Sequence, residues 1–431
     1  MACRASTRTR GGVAALVIVT ALAAFAATPA DADVMTLDEC VATALSSNLS
    51  LAQAQESLAS ASAGVMSGWS GVLPRVSAGL GYSDGSTVSG GTTTDSEMYS
   101  GNVNLSQTLL DGGTFAGISG AHRTRNASAF ALDGTRRGVV LATKEAYYGL
   151  LKALKLRDVS QEALELAQEQ MRKAESLYEL GSASKSDFLK AQVEVKQSEL
   201  ALISSERMAA TARLNLLYTM GVSMSTEIEV VDPDDLGEDE ILDFDLDEAV
   251  GRRPDVRSQE ESLVAAKRSL LAAKAARWPS LGMSASYSKG GEELGDVTGD
   301  FDDDYTRSVS LSLSIPIFNG LATKASIDSR KASLRSSELT LRDVRLAAAY
   351  EIETARLGVI EQRESVAVAT AGLEMAEEEL RVSEERFRLR AASMLDLIYA
   401  RVAYSQARVD LIEAQYDYEI SKAELKDALG L

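Results

Sequence analysis

The feature that most constrains this 431-residue chain is that it is written twice. Leu37-Asp38-Glu39-Cys40-Val41 returns as Leu246-Asp247-Glu248-Ala249-Val250, 209 residues later. Pro74, Tyr82, Ser83 and Gly85 return as Pro279, Tyr287, Ser288 and Gly290, each 205 later. Leu105-Ser106 returns as Leu313-Ser314 at 208, and a series from Leu180 to Gly221 returns from Leu389 to Gly430 at 209. The order is kept and the offset drifts by only a few residues. A period of about 207 is too long for a solenoid, so this is a duplicated half-molecule. The halves are residues 33–231 and 245–431, joined by an acidic linker at 232–244 that opens Asp232-Pro233-Asp234-Asp235. Any fold proposed for one half must serve the other.

Each half reads as helix, helix, strand, strand, long helix, long helix. Thr36-x-x-Glu39 is a capping box, and Asp245-x-x-Glu248 is a looser one. A second helix follows at about 49–68 and 255–277. Strands follow at about 74–83 and 99–108, and again at about 279–288 and 305–316. Val76, Ala78, Leu80 and Tyr82 alternate with Ser77, Gly79, Gly81 and Ser83, and Val309, Leu311, Leu313 and Ile315 alternate with serines. That is period-2 patterning. The joining loops, 84–98 and 289–304, are rich in Gly, Ser, Thr and Asp. Very long helices are expected at about 114–179 and 321–389, with return helices at 184–219 and 393–428. Leu164, Ala167, Met171, Ala174 and Tyr178 are spaced 3,4,3,4, and Val366 to Phe387 repeats the spacing, a coiled-coil seam rich in small residues.

The N-terminus reads as an export signal. Residues 1–12 carry three arginines and no acid, Val13 to Ala27 is apolar, and Ala30-Asp31-Ala32 offers a cleavage site. Removing residues 1–32 takes three arginines and one aspartate, so the formal charge moves from −19 to −21. Such a balance argues against nucleic acid or an anionic lipid surface as partner. Cys40 is then alone, so no intrachain disulfide is expected, and it reads as a buried small apolar residue. No later segment has about 18 consecutive apolar residues, the signature of a transmembrane helix. Catalytic constellations are not found, and no cofactor is expected. His122 is the only histidine. Asp300, Asp302 and Asp304 mimic the start of a calcium loop, but Tyr305 and Leu311 fall where Gly and Glu are required. The stretch reads instead as an acidic extracellular loop.

The strands suit a membrane barrel, apolar outward and small-polar inward. Four strands cannot close one, and an open sheet edge cannot face lipid. The barrel must therefore be shared among chains. Eight strands from two chains would leave an interior largely filled by side chains; twelve from three leave an open lumen. Two other readings stand beside it. One is a soluble sheet resting on the helices; the other is a periplasmic coiled-coil scaffold without a pore.

At this point the chain resembles the TolC-like outer membrane efflux protein family over essentially all of the sequence beyond residue 32. The resemblance rests on an ordered set: Thr36-Leu37-Asp38-Glu39, Leu73-Pro74, Leu109-Leu110-Asp111-Gly112-Gly113, Arg253-Pro254-Asp255-Val256, Trp278-Pro279-Ser280-Leu281, and Ile315-Pro316-Ile317-Phe318-Asn319-Gly320. Tyr178-x-x-Gly181-x-x-Ser184-x-x-Asp187-x-Leu189 is typical of a helical tip in that family. The resemblance implies a homotrimer with a twelve-stranded barrel in outer membrane lipid and a twelve-helix barrel crossing the periplasm. It further implies docking to a periplasmic adaptor (a membrane fusion protein) and an inner-membrane RND or ABC transporter, in drug efflux or type I secretion. The tips, at about 179–184 and 389–393, would contact the adaptor and gate the pore. Their candidate residues are Tyr178, Gly181, Ser184, Asp187, Phe387, Arg390, Ser393, Asp396 and Tyr399. Ser184-x-x-Asp187 and Ser393-x-x-Asp396 also read as plain capping boxes, with Gly181 as a left-handed helix stop. Arg390 stands where the first half has Gly181, so the second turn is expected to be built differently. Tyr399 stands where some family members carry a second acid, so an acidic closing ring does not carry over whole. Glu377, Glu378, Glu379, Glu384 and Glu385 precede that tip, either lining the entrance or forming a solvated face.

Overall fold

The computed structural model describes residues 33–233, 244–299, 304–389 and 391–431. The export signal, most of the acidic linker, Asp300, Asp302 and Arg390 lie outside the described residues. The elements run β1 (Asp33–Met35), α1 (Leu37–Ser47), α2 (Leu49–Trp69), β2 (Arg75–Ser89), β3 (Thr92–Leu110), α3 (Gly112–Glu179), α4 (Lys185–Met220), β4 (Ile228–Val230), α5 (Leu246–Arg252), α6 (Pro254–Ala275), β5 (Ser280–Gly291), α7 (Leu294–Thr298), β6 (Tyr305–Ser314), α8 (Ala322–Arg388) and α9 (Met394–Ala428). The same order occurs twice, with α1, α2, β2, β3, α3 and α4 answered by α5, α6, β5, β6, α8 and α9.

Helix starts follow the local chemistry. Thr36 accepts from the Glu39 N–H while its own N–H donates to the Glu39 carboxylate, a complete capping box. Asp245 accepts from the N–H groups of Asp247 and Glu248 without the reciprocal bond. Arg253 caps α6 with no side-chain bond, and Pro254 takes the first helical position, where its missing N–H costs nothing. At 68 residues, α3 is about 100 Å long.

α3 packs along α4, α8 along α9, and α9 lies against α3 to join the halves. α6 bridges α3 and α8, whereas α2 packs on α3. Each half closes a core where its short capped helix meets its long helix pair. The first gathers Cys40, Ala44, Tyr147, Leu150, Leu216, Leu217 and Met220. The second gathers Ala249, Val256, Ala348, Ile352, Leu425 and Leu429. Cys40 is wholly buried, as expected, and Ala249 occupies its place in the second half. Burial pushes the Cys40 thiol up to about 11.

One feature was not anticipated. β1 and β4 form a two-stranded parallel sheet across the waist of the helices. The Tyr147 hydroxyl donates to the Val231 carbonyl at 2.5 Å and lies 3.4 Å from that of Met35. Tyr416 donates to Asp232 at 3.0 Å, and Lys155 pairs with the same carboxylate at 2.8 Å. Three-residue strands are too short to leave a periodic signal.

The four-stranded sheet also departs from expectation at its outer end. Residues 84–98 are not a loop: β2 and β3 run on to a tight turn at Gly90 and Gly91, both at positive φ. Polar residues occupy both faces there, so the alternation fades although the ladder continues. Residues 289–304 hold the end of β5 and α7. β6 stops at Ser314, one residue short of Ile315-Pro316, where proline supplies no N–H.

Candidate functional site: a two-faced sheet and two helical tips

The sheet order is β2-β3-β5-β6, antiparallel throughout, with β2 and β6 as free edges. Its register decides which residues share a face. Tyr82 pairs with Tyr99, Ala78 with Val103, and Val76 with Leu105. Val103 pairs with Tyr287 and Leu105 with Ala285. Ala285 pairs with Val309, Met283 with Leu311, and Leu281 with Leu313. Every apolar strand residue singled out by the alternation falls on one side. From Val76 to Tyr82 that band is about 20 Å long. It ends at paired tyrosines: the Tyr82 and Tyr99 rings lie 4.9 Å apart, and those of Tyr287 and Tyr305 5.3 Å apart. Past the first pair, the same face turns acidic with Asp84 opposite Glu97. α7 folds back on this face. A Cβ on Gly101 would meet Val297 Cγ1 at 2.5 Å, so glycine there makes the seat. Val76, Leu80, Val309, Leu311 and Leu313 stay exposed, as do Ile317 and Phe318 below them.

At the first tip, Gly181 has φ of 67°. Its N–H donates to the Tyr178 carbonyl at 2.9 Å and the Ser182 N–H to Leu177 at 2.8 Å, a left-handed helix stop with both bonds made. Ser184 then caps α4 by accepting from the Asp187 N–H at 3.1 Å, and its hydroxyl donates to the Asp187 carboxylate at 2.7 Å. The reciprocal backbone bond is missing. The Tyr178 and Phe188 rings stack at 5.8 Å, 3° from parallel.

At the second tip the box is complete. Ser393 accepts from the Asp396 N–H at 3.2 Å and its own N–H donates to the carboxylate at 2.8 Å. The Ser393 backbone N–H, then its hydroxyl, hold the Asp396 carboxyl below the usual carboxylate range. The Ala391 N–H donates to Arg386 at 2.8 Å, the counterpart of the Ser182 to Leu177 bond. The expectation that Arg390 makes this turn differently falls on a residue outside those described.

The two tips meet. Ala174 and Ala191 of the first pack with Met394 of the second, flanked by Met171, Phe387 and Ile398. Tyr399 stays outside, 64% exposed. Of the acid run, Glu378 pairs with Arg381 at 2.6 Å and Glu385 with Arg388 at 2.7 Å, and all five glutamates are exposed.

Sequence reasoning missed the cross-links between the hairpins. Arg408 on α9 pairs with Glu162 on α3. Arg401 reaches Glu384 at 3.0 Å and the Leu166 carbonyl at 3.4 Å. A groove of about 340 Å³ lies there, lined by α3, α4 and α9. Glu194 on its wall has its carboxyl pushed up by burial. Arg408 and Glu162, and Arg401 and Leu166, are more than 200 residues apart, and no local pattern marks them. Among the described residues no cluster fit to hold a metal is found, and no helix is long and apolar enough to cross a membrane.

A long helical rod carrying a sheet with one apolar face is the fold of solved outer-membrane channels. The CmeC outer membrane channel of Campylobacter jejuni matches with a TM-score of 0.84 at 20% identity, over 91% of this chain and 85% of that one. VceC of Vibrio cholerae matches at 0.81 and 16%, over 91% and 96%. By sequence, Nodulation protein T of Rhizobium leguminosarum bv. trifolii is 28% identical over 404 residues, covering 90% of this chain and 83% of that protein. The outer membrane efflux protein BepC of Brucella suis is 22% identical, covering 76% and 71%. The family model described as "Outer membrane efflux protein" matches residues 40–222 and 246–431, so the chain belongs to that family. The protein resides in the outer membrane with a large periplasmic helical part, and it serves transport, not catalysis.

Proposed function

We propose that three copies of this chain form the exit duct of a tripartite efflux pump or type I secretion system. The observation that carries this is a sheet with one apolar face and two unpaired edges. Lipid admits no open edge, so β6 of one chain must pair with β2 of the next. Such a head-to-tail contact closes into a ring when the rotation allows. Three chains supply twelve strands and a lumen wider than side chains fill. A scaffold without a pore would leave the apolar face uncovered.

The duplication supplies the template for the contact between chains. β3 pairs with β5 inside the chain, and β6 and β2 are their repeats. Leu105 pairs with Ala285. Leu313 stands where Leu105 does, and Leu80 where Ala285 does. Leu313 of one chain should therefore pair with Leu80 of the next. By the same rule α8 of one chain meets α4 of the next as α3 meets α9, and it meets the next chain's α2 as α3 meets α6. In a Cys40→Ala background, Leu80→Cys with Leu313→Cys should oxidise to chain-linked dimers and trimers. Leu80→Cys with Val309→Cys, four residues out of register, should not. Absence of linkage in the first pair rejects this assembly.

The paired tips form the periplasmic mouth in this reading, where an adaptor docks and an RND or ABC transporter delivers cargo. Tyr178, Gly181, Ser184, Asp187, Phe387, Arg390, Ser393, Asp396 and Tyr399 belong to it. The rigid, doubly closed turn at Gly181 gives an adaptor a fixed shape to grip. Tyr399, exposed and unlike its counterpart Lys190, is placed to narrow the opening.

A further inference from the structure

A net charge of −19 argues against an anionic lipid surface, yet the charge reverses where the helices meet the sheet. Between Gly112 and Leu132, α3 carries Arg123 and Arg125 and no acid. From Lys267 to Arg277, α6 carries four cations and no acid. The chain's two tryptophans lie at this junction. Trp69 ends α2, Trp278 follows α6, and Phe115 of α3 stands between them, sharing one cleft with each. All three rings are exposed. Tryptophan at such a height marks a membrane–water boundary, and the paired tyrosines close the other end of the apolar band.

The two clefts differ in charge. Beside Trp69, Arg123 pairs with Glu261 at 3.2 Å, so its charge is met within the protein. The cleft beside Trp278 encloses about 580 Å³ between α3 and α6. Leu110, Phe115, Leu271, Trp278 and Pro279 line it. Gly112 lies under the indole, where a Cβ would meet the ring at 2.7 Å. Leu110 pairs with Leu281 at the foot of the sheet, so the cleft runs into the apolar band. Arg268 forms its lower wall, half-buried beside Gly120, and makes no ion pair with any described residue. Its Cα lies about 10 Å down the helix from Ala275.

We infer that this cleft seats an anionic phospholipid of the leaflet that faces the helices, with its phosphate on Arg268 and an acyl chain passing Leu271, Phe115 and Trp278 onto the apolar band. The inference rests on the outer-membrane placement and not on the pore. A guanidinium offers a phosphate two parallel N–H donors. A headgroup zone about 5–8 Å deep puts that phosphate within reach of the Arg268 side chain when the indole sits at the boundary. A second copy of the chain does not cover the cleft: α3 and α6 belong to one chain, and in the proposed ring the helical junctions between chains fall at α2, α4 and α8. The duplication also leaves the site single. At the offset of 205, Arg268 answers to Ala63 and Trp278 to Leu73. Three chains therefore hold three such lipids, not six.

The test is quenching of Trp278 fluorescence by lipids brominated in the acyl chain, in a Trp69→Phe protein reconstituted at a fixed ratio of lipid to protein. Brominated phosphatidylglycerol should associate with Trp278 more strongly than brominated phosphatidylcholine, by about threefold or more. Arg268→Gln should make the two lipids equal while the protein still runs as the unheated oligomer. Equal quenching with Arg268 in place overturns the inference, and that comparison needs no substitution at Arg268. So does a preference that survives Arg268→Gln. Soluble glycerol phosphate should not relieve the quenching; relief assigns the cleft to a free phosphate and overturns the lipid. Quenching by neither lipid means that the cleft does not face the membrane, which also overturns the inference. Conductance in planar bilayers tests the channel reading separately.

Discussion

At the residue scale, the two tips show how far one duplicated motif diverges. Gly181 sits at φ of 67°, where a Cβ is strained. Gly181→Ala should cost about 1 kcal/mol of local stability. Trypsin should cut at Lys185 faster, while the trimer's resistance to heat stays the same. The Asp396 carboxyl is held below its usual range by Ser393. A depressed folded-state value means that its contribution is present at neutral pH and lost as pH falls below about 4. The protection factors of the amides at 393–396, which allow for the slower intrinsic exchange in acid, should fall as pH drops through about 4, and Asp396→Asn should remove that dependence. Both residues were legible in the sequence, because caps and left-handed stops are local chemistry. The completeness of the second box and the half-made first one were not, since a backbone N–H bond depends on angles that no residue name specifies.

At the element scale, the hairpins α3–α4 and α8–α9 touch mainly along α3 and α9. Arg408–Glu162 and Lys152–Asp417 cross that seam, the latter at 2.6 Å. Each is partly solvated and contributes on the order of 0.2–1 kcal/mol. Their position matters more than their strength, because they are the polar ties between one half's coil and the other's. Arg408→Ala should leave expression and assembly unchanged and raise the fraction of time the channel conducts in bilayer recordings. An unchanged open fraction would mean that this tie does not restrain the mouth. The helices themselves were read from the 3,4 spacing to within about two residues. The strand ends were not, because alternation reports a lipid-facing side and disappears where the ladder enters water.

At the scale of the whole molecule, the duplication makes the junction between halves a drawing of the junction between chains. β3 against β5, α9 against α3 and α6 against α3 each have one unmade counterpart. Satisfying all of them at once requires a closed ring. Outer-membrane extracts run unheated on a denaturing gel should therefore show a species three times the size of the single exported chain, collapsing to one on boiling. Recovery only from the soluble periplasmic fraction would contradict both assembly and membrane placement.

The sequence by itself determined the repeat, the order of elements, the coiled-coil seams, the two-faced strands and the family. Those are periodic or local properties, and each is written in spacing along the chain. Only the tertiary structure decided the register that places all the apolar strand residues on one face and nearly all charge off the other. It alone brought Arg408 to Glu162, drew Tyr147 and Tyr416 onto the β1–β4 strap, and set the two tips around Ala174, Ala191 and Met394. These contacts join residues far apart in sequence. Their partners are chosen by how the halves pack, and packing has no period to read.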